Sequence, residues 1–231
     1  MSVRAARRVA SGGKSGYHHG DLRTAALEEG LRRLEHVSVE QLSLRDIARQ
    51  VGVSAPALYR HFPDKDALMG AIATRGFEML ADAQRQAMEG REAAEAFIAS
   101  GRAYVRFAIA KPSLFRMIFS CAVKQTHPFE TPPEDSAAAL LVRTIASLLD
   151  PEAPEADRMV AAMRAWSMVH GLAMLILDAQ VPLKDIDTMI ERVIDVDTVT
   201  LLPSVNPKKL KPRRKAPPAA RSSSRRVAPR P

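Results

Sequence analysis

Residues 43–62, SLRDIARQVGVSAPALYRHF, constrain the fold of this chain most, because they predict two short helices joined by a tight turn. Ser43 followed by Asp46 has the capping-box pattern that begins a helix, and Gly52 is suited to ending it. Pro56 then falls in the first turn of a second helix, where its missing N–H costs little. Two helices joined by a short turn containing Gly are typical of the helix-turn-helix that reads the DNA major groove.

The positive charge of the chain is concentrated at its two ends. The formal net charge is +8, but residues 1–20 hold four basic residues and no acid, and residues 204–231 hold ten basic residues and no acid. The body between these ends therefore has 20 basic residues against 26 acidic ones. A DNA-reading unit inside an acidic body must place its cations locally, so the overall charge contributes little to the DNA prediction.

Helical periodicity between the two ends, without sustained alternation of period two, predicts an all-α fold. We expect a flexible basic arm over 1–19, a three-helix helix-turn-helix domain over 20–66, and a helical effector-binding and dimerisation domain over 67–203. Asp64 is placed to cap a long helix that connects the two domains. The tail over 204–231 is rich in Pro and basic residues and poor in large apolar ones, which predicts disorder.

Composition favours a cytoplasmic protein without a membrane span, metal or cofactor. No run of 18 apolar residues is present, and the first 20 residues lack the apolar core of a secretory signal. Cys121 is the single cysteine, so an intramolecular disulfide is excluded. The adjacent His18 and His19 do not share a helix face and have no third ligand nearby, so we expect no metal site.

The run LRDIARQVGVSAPALYRHFPDKDAL resembles the DNA-binding segment of the TetR family of bacterial transcriptional repressors. The resemblance covers about residues 20–80, including the lead-in YHHGDL. It implies that the helix from about Ala55 to Phe62 enters the major groove while the preceding helix crosses the backbone. Leu58 and Phe62, at i and i+4, would then form the buried side of this recognition helix.

The resemblance also places the DNA contacts. Phosphate oxygens would be bound by Tyr59, His61 and Lys65, and a base by Arg45, whose guanidinium can bind guanine at about 1–3 kcal/mol of discrimination. The small apolar residues 55–57 leave little direct readout at the helix tip, so DNA shape would contribute more. The complete set of expected contacts is Thr24, Ser43, Arg45, Ala55, Pro56, Ala57, Tyr59, His61 and Lys65. Tyr59 as a packing aromatic, His61 as an ordinary helix-terminal residue and Arg45 as a surface charge remain the alternatives.

The segment Trp166 to Leu172, WSMVHGL, resembles the Trp-His-Gly (WHG) class of C-terminal domains in this family, and LFRMIFS at 114–120 resembles its companion segment. In the family, such helices line or adjoin an effector cavity. The candidate effector-binding residues are Phe97, Tyr104, Phe107, Phe115, Met117, Trp166 and His170. The alternative is that these aromatic and Met side chains are core, and that Trp166 and His170 hold the fold or an interface.

By the same resemblance, helices at about 155–178 and 183–202 would pair with their copies in a homodimer, which suits a palindromic operator in double-stranded DNA. We expect a regulator, a repressor released by a small apolar or amphipathic effector. An architectural DNA-binding protein that uses its basic arms is the alternative. An enzyme is disfavoured because no clustered nucleophile and base, metal-ligand spacing or Gly-rich phosphate loop is found.

Overall fold

The computed structural model describes residues 19–120, 134–181 and 184–210, and over these ranges the predicted all-α fold is confirmed. Two short 3₁₀ turns, Val39–Gln41 and Pro207–Lys209, accompany the helices. The helices are α1 (His19–Leu34), α2 (Leu44–Val51), α3 (Ala55–Tyr59), α4 (Lys65–Met88), α5 (Ala93–Ala110), α6 (Pro112–Ile118), α7 (Ala137–Leu148), α8 (Glu155–Leu177), α9 (Ile186–Val193) and α10 (Val196–Thr200).

The helix-turn-helix forms as α2 and α3, with one difference at its first cap. Ser43 Oγ accepts the Asp46 N–H at 3.4 Å, but the Asp46 carboxylate binds Arg49 at 2.6 Å, so only half of the expected capping box is present. Gly52 ends α2 with a φ of 80°, a left-handed conformation that glycine adopts without strain. The turn between the helices is therefore set by local residues.

The recognition helix is shorter than the expected range from Ala55 to Phe62, because α3 ends at Tyr59. The chain continues as a turn in which the Phe62 N–H donates to the Leu58 carbonyl at 3.0 Å. Pro63 disfavours the α conformation at Phe62, so the helix cannot continue through that residue. Leu58 and Phe62 are nonetheless buried in the core of the domain.

Helix α4 links the three-helix head, which consists of α1, α2 and α3, to the rest of the chain. Its N-cap is Asp64, whose Oδ1 accepts the Ala67 N–H at 2.7 Å. With 24 residues α4 is about 36 Å long, and it contacts α1 near its start and α5, α6 and α7 further along. A single helix therefore joins the head to the second domain, as the position of Asp64 predicts.

Gly76 lies where α4 crosses α6, and a Cβ there would be 2.7 Å from Ile118 Cγ2 and 3.0 Å from Leu114 Cδ1. We expect Gly76→Ala to lower the free energy of unfolding by about 1–3 kcal/mol, because overpacking outweighs the gain in helix propensity. Gly70→Ala, on the same helix with nothing within 4 Å of its Cβ, should instead stabilise by up to about 1 kcal/mol. Urea denaturation of both variants measures the difference, and equal changes would contradict the assigned crossing.

The single helix expected over 183–202 is divided into α9 and α10. Asp195 starts the second of these: its Oδ1 accepts the Asp197 and Thr198 N–H groups, and Thr198 Oγ1 accepts the Asp195 N–H at 3.1 Å. This complete capping box satisfies backbone donors that a continuous helix would have bonded internally. The prediction of one long helix was therefore wrong at this point.

Residues 204–210, expected to begin the disordered tail, are bound to the body. Val205 forms an isolated β-bridge with Leu149, and the Asn206 N–H donates to the Leu148 carbonyl at 3.0 Å. Leu210 contacts the same apolar cluster. The expected tail boundary at 204 is thus too early, and the expected arm over 1–19 overlaps α1 at His19. The remainder of that arm, which includes His18, lies outside the described residues, as do Cys121 and the rest of the tail.

The length and apolar composition of helix α8 bear on the expectation that the chain has no membrane span. By length and composition alone it is apolar enough, with mean hydropathy 1.5 over 18 residues, of which 33% are buried. Its buried side contacts α5 and α7, as in the core helix of a globular domain, which passes the same test. The apolar residues on its outer side are Met159, Val160, Met163 and Leu175.

Candidate nucleic-acid interface and internal cavity

The outer side of α3 is small and nearly without polar groups at its start. Ala55 and Ala57 are half-buried and Pro56 is exposed, so the helix tip presents methyl and ring carbons. Tyr59, at the last turn, is 40% exposed, whereas the neighbouring Leu58 is fully buried. The phenol is therefore accessible to an outside partner, while the opposite side of the helix is core.

Arg45 is exposed in the first turn of α2 and joins no ion pair with any described residue. Arg49, one turn further along, is bound to Asp46 at 2.6 Å. The two arginines therefore differ in the availability of their guanidinium groups, although both are solvent-accessible. Arg45 retains the donor fork that base recognition requires.

Lys65 has a structural bond that sequence reasoning did not anticipate. Its Nζ donates to the Glu40 carbonyl at 3.0 Å, which ties the start of α4 to the 3₁₀ turn before α2. An ammonium has three N–H donors, so a phosphate contact at the same group is compatible with this bond. The bond to Glu40 therefore leaves further N–H donors on Lys65.

The remaining expected contacts lie in the same unit. Thr24 is exposed on α1, Ser43 is half-buried as the N-cap of α2, and His61 is half-buried in the turn after α3. Helices α1, α2 and α3 all contact one another. The expected DNA contacts thus belong to one three-helix unit and the first turn of α4.

A cavity of about 450 Å³ lies in the second domain, among α4, α5, α7, α8 and the start of α10. Phe97, Tyr104 and Trp166 line it, in agreement with their selection from the sequence. Phe115 and Met117 do not line it; they are fully buried, because α6 turns them into the core against α4 and α5. For these two side chains, position favours the core alternative.

Two other candidates are also absent from the cavity wall among the described residues. Phe107 lies along a separate surface groove on α5, and His170 is behind Tyr104. Of the seven expected effector contacts, three line the cavity, one lies behind Tyr104, and the other three lie in the core or along another groove.

Tyr104, Trp166 and His170 form a hydrogen-bonded group that joins α5 to α8. The Trp166 indole N–H donates to Tyr104 Oη at 3.3 Å, and Tyr104 Oη lies 2.9 Å from His170 Nδ1. Burial raises the pKa of Tyr104 and lowers the pKa of His170, so the neutral forms are favoured. A neutral imidazole protonated on Nε2 accepts the phenol hydrogen at Nδ1, while the phenol oxygen accepts the indole N–H.

Gln84 and Ser100 are cavity residues that sequence reasoning missed. Gln84 Nε2 donates to Ser100 Oγ at 3.0 Å, and both residues are more than nine-tenths buried. Gln84 Oε1 has no hydrogen-bond partner among the described residues. The sequence signal that could have identified Gln84 is its position four residues after Leu80. This spacing puts a polar amide on the buried side of α4.

Two family models match the chain. Residues 26–72 match the model described as bacterial regulatory proteins, tetR family, and residues 97–196 match the tetracyclin repressor-like C-terminal domain. The second range includes Trp166, His170 and Gly171.

Individual proteins are similar over different shares of the chain. An HTH-type transcriptional regulator from Mycobacterium tuberculosis is 28% identical over 127 residues, which are 54% of this chain and 53% of that protein. The chain thus matches about half the length of this relative. A solved protein of unknown function from Rhodococcus sp. RHA1 has a TM-score of 0.62 and 29% identity, over 80% of this chain and 97% of the other.

A TetR variant from Acinetobacter baumannii AYE, solved in complex with minocycline, has a TM-score of 0.55. It is 21% identical, over 77% of this chain and 90% of that one, so the likeness concerns the fold.

Proposed function

The chain belongs to the TetR family of bacterial regulatory proteins, and from this premise we propose that it is a cytoplasmic, ligand-responsive repressor. In this proposal a homodimer binds a palindromic operator through α2 and α3 of each head. A small molecule in the cavity then favours a conformation in which the heads no longer match the two half-sites. The observation that carries the proposal is that one helix, α4, forms part of both the head and the cavity wall.

The geometry of the head supports specific reading of DNA with few base contacts. Arg45 supplies an accessible donor fork, and Tyr59 is placed for a phosphate. The start of α3 brings only small apolar groups to the groove, which suit contact with thymine methyl groups. Specificity would then depend on Arg45 and on the shape of the operator.

We expect Arg45→Ala to lower the operator affinity by about 1–3 kcal/mol, because it removes a bidentate base contact. Fragments are first selected from genomic DNA with the full-length protein, and affinities for the selected fragment are measured by fluorescence anisotropy. Arg49→Ala is the matched control, since that guanidinium is already bound to Asp46. Similar losses in both variants, or no loss for Arg45→Ala, would sink the base-reading role.

An apolar stripe on α8 supports homodimerisation. Val160, Met163 and Leu175 are exposed at helical spacing, and a Cβ added at Gly171 between them would meet nothing within 4 Å. Among the described residues Gly171 therefore serves no close approach, and its surface is open to another molecule. A second copy of α8 related by a twofold axis would cover the stripe with the same residues.

Release by a ligand requires that the ligand bind one conformation more tightly than the other. The cavity is placed for this, because its wall includes Ala73, Leu80 and Gln84 of α4 together with residues of α5 and α8. A ligand that changes how α4 lies against α5 would move the head at the other end of the same helix. We propose this movement as the coupling between effector and operator.

The architectural alternative rests on the charge of the two ends of the chain. Truncation at residue 210 separates the two functions. A specific repressor keeps its operator preference and loses mainly salt-sensitive affinity, whereas an architectural protein loses most of its binding to any duplex.

A further inference from the structure

The polar groups of the cavity wall point to the chemistry of the ligand. We propose that the cavity takes an apolar or aromatic molecule that carries a hydrogen-bond donor and no negative charge, with Gln84 Oε1 as the receiving atom. The inference rests on the effector site proposed above and specifies what that site selects.

Most hydrogen-bond donors of the cavity wall already donate to acceptors within the protein. Three threonine hydroxyls donate to backbone carbonyls of their own segments, and the indole N–H donates to the phenol oxygen behind it. A ligand acceptor would have to displace one of these bonds or use the hydroxyl hydrogens of Ser100 and Ser136, whose oxygens accept from Gln84 Nε2 and from the Ala139 N–H. The four bonds are Thr74 Oγ1 to Gly70 O at 3.0 Å, Thr144 Oγ1 to Leu140 O at 2.7 Å, Thr198 Oγ1 to Val193 O at 3.0 Å and Trp166 Nε1 to Tyr104 Oη at 3.3 Å.

The unpartnered buried atom is an acceptor. Gln84 Oε1 is buried and has no partner among the described residues, while the nitrogen of the same amide is fixed by Ser100. A buried carbonyl without a hydrogen bond destabilises the state that contains it. A ligand hydroxyl or N–H that reaches this oxygen gains the bond, whereas an isosteric ligand without a donor leaves the oxygen unpaired.

The charges of the wall disfavour an anion. Glu78 and Asp135 line the cavity, and the described part of the wall contains no Lys, Arg or His. The Glu78 carboxylate is bound to Arg75 at 3.0 Å, and the Asp135 carbonyl accepts from Arg85. A ligand carboxylate would therefore be desolvated without a cation in the wall to pair with it.

The rest of the wall is apolar and aromatic. Phe77, Leu80, Phe97 and Trp166 contribute to it, and Phe77 and Phe119 meet edge to face with ring centroids 5.4 Å apart. A volume of about 450 Å³ is sufficient for a molecule of two or three rings. The ligand body should therefore be hydrophobic, with its donor at the end that reaches α4.

Three probes of similar shape test the inference with the full-length protein: 4-cyclohexylphenol, its methyl ether and 4-cyclohexylbenzoate. Calorimetry should show the phenol binding about 5- to 150-fold more tightly than the ether, because the ether leaves Oε1 unpaired. The benzoate should bind at least about 10-fold more weakly than the phenol. Trp166 is the single tryptophan, so its indole N–H signal in NMR reports whether a probe occupies this cavity.

Gln84→Met keeps the length of the side chain and removes the acceptor, so it should reduce the preference for phenol over ether to about twofold or less. Gln86→Met, the same change at an exposed position of α4, should retain the preference. Equal affinities of phenol and ether in the native protein would overturn the inference, as would tightest binding of the benzoate or no binding of the phenol. These outcomes do not depend on how well the Gln84 variant folds.

Operator affinity is measured in parallel with each probe. Donor-selective binding in the cavity without release of DNA would contradict the proposed repressor mechanism and leave the ligand chemistry intact. Release of DNA by the ether as effectively as by the phenol would support the repressor mechanism and contradict the proposed ligand chemistry.

Discussion

Glutamate at both Val160 and Leu175 is expected to convert the protein from a dimer to a monomer and to lower operator affinity at least about 100-fold. Both side chains are exposed on α8, at 42% and 48%, and the proposed interface would bury them against a second copy. Carboxylates there would be desolvated without partners and would repel their twofold copies. A monomer then loses the avidity of two linked heads, which raises the affinity about 10²–10⁴-fold over that of a single head.

Val142→Glu is the matched control, because Val142 is 41% exposed on α7, outside the proposed stripe. It should remain dimeric and bind the operator normally. Sedimentation velocity gives the oligomeric state, and fluorescence anisotropy gives the affinity. A double variant that stays dimeric, or a native protein that is monomeric when bound to DNA, would contradict the role assigned to α8.

Phe62→Ala is expected to lower the free energy of unfolding of the head by about 3–5 kcal/mol. Phe62 is 1% exposed, belongs to the hydrophobic core of the head and lies in the segment between α3 and α4. The Arg23 guanidinium lies 5.1 Å from the ring centroid, so a cation–π contact is lost as well. Because α3 has only five residues, tertiary packing rather than helix propensity must hold it in place.

Phe62→Leu retains most of the buried volume and should cost about 1–2 kcal/mol. Urea denaturation followed by circular dichroism compares the two variants, with DNA binding as a second readout. A loss below about 1 kcal/mol for Phe62→Ala would show that the head is not organised around this ring.

The head could be predicted closely because its signals are local. Ser43, Gly52 and Asp64 cap or end helices within a few residues, and their positions alone determine where α2 and α4 begin and where α2 ends. Leu58 and Phe62 are one helical turn apart, so their burial also follows from spacing. The differences are small: the carboxylate of Asp46 binds Arg49, and α3 ends before Pro63.

The cavity was predicted only in part, because membership of its wall depends on how distant helices cross. Phe115 and Phe97 have the same residue type and similar helical surroundings in sequence, yet one is core and the other lines the cavity. Gln84 belongs to no recognisable sequence motif. Its place in the cavity wall is evident only from its hydrogen bond to Ser100 of α5. The division at Asp195 similarly depends on one side chain competing for backbone N–H groups.

The most direct measurement of the central claim is a hydroxyl-radical footprint of the full-length protein on a fragment selected from genomic DNA. The account predicts two protected half-sites related by a twofold axis, about one helical turn or a multiple of it apart. Protection should weaken at both half-sites with Arg45→Ala and persist with Arg49→Ala. Continuous protection that spreads with protein concentration, independent of sequence and of Arg45, would contradict the account.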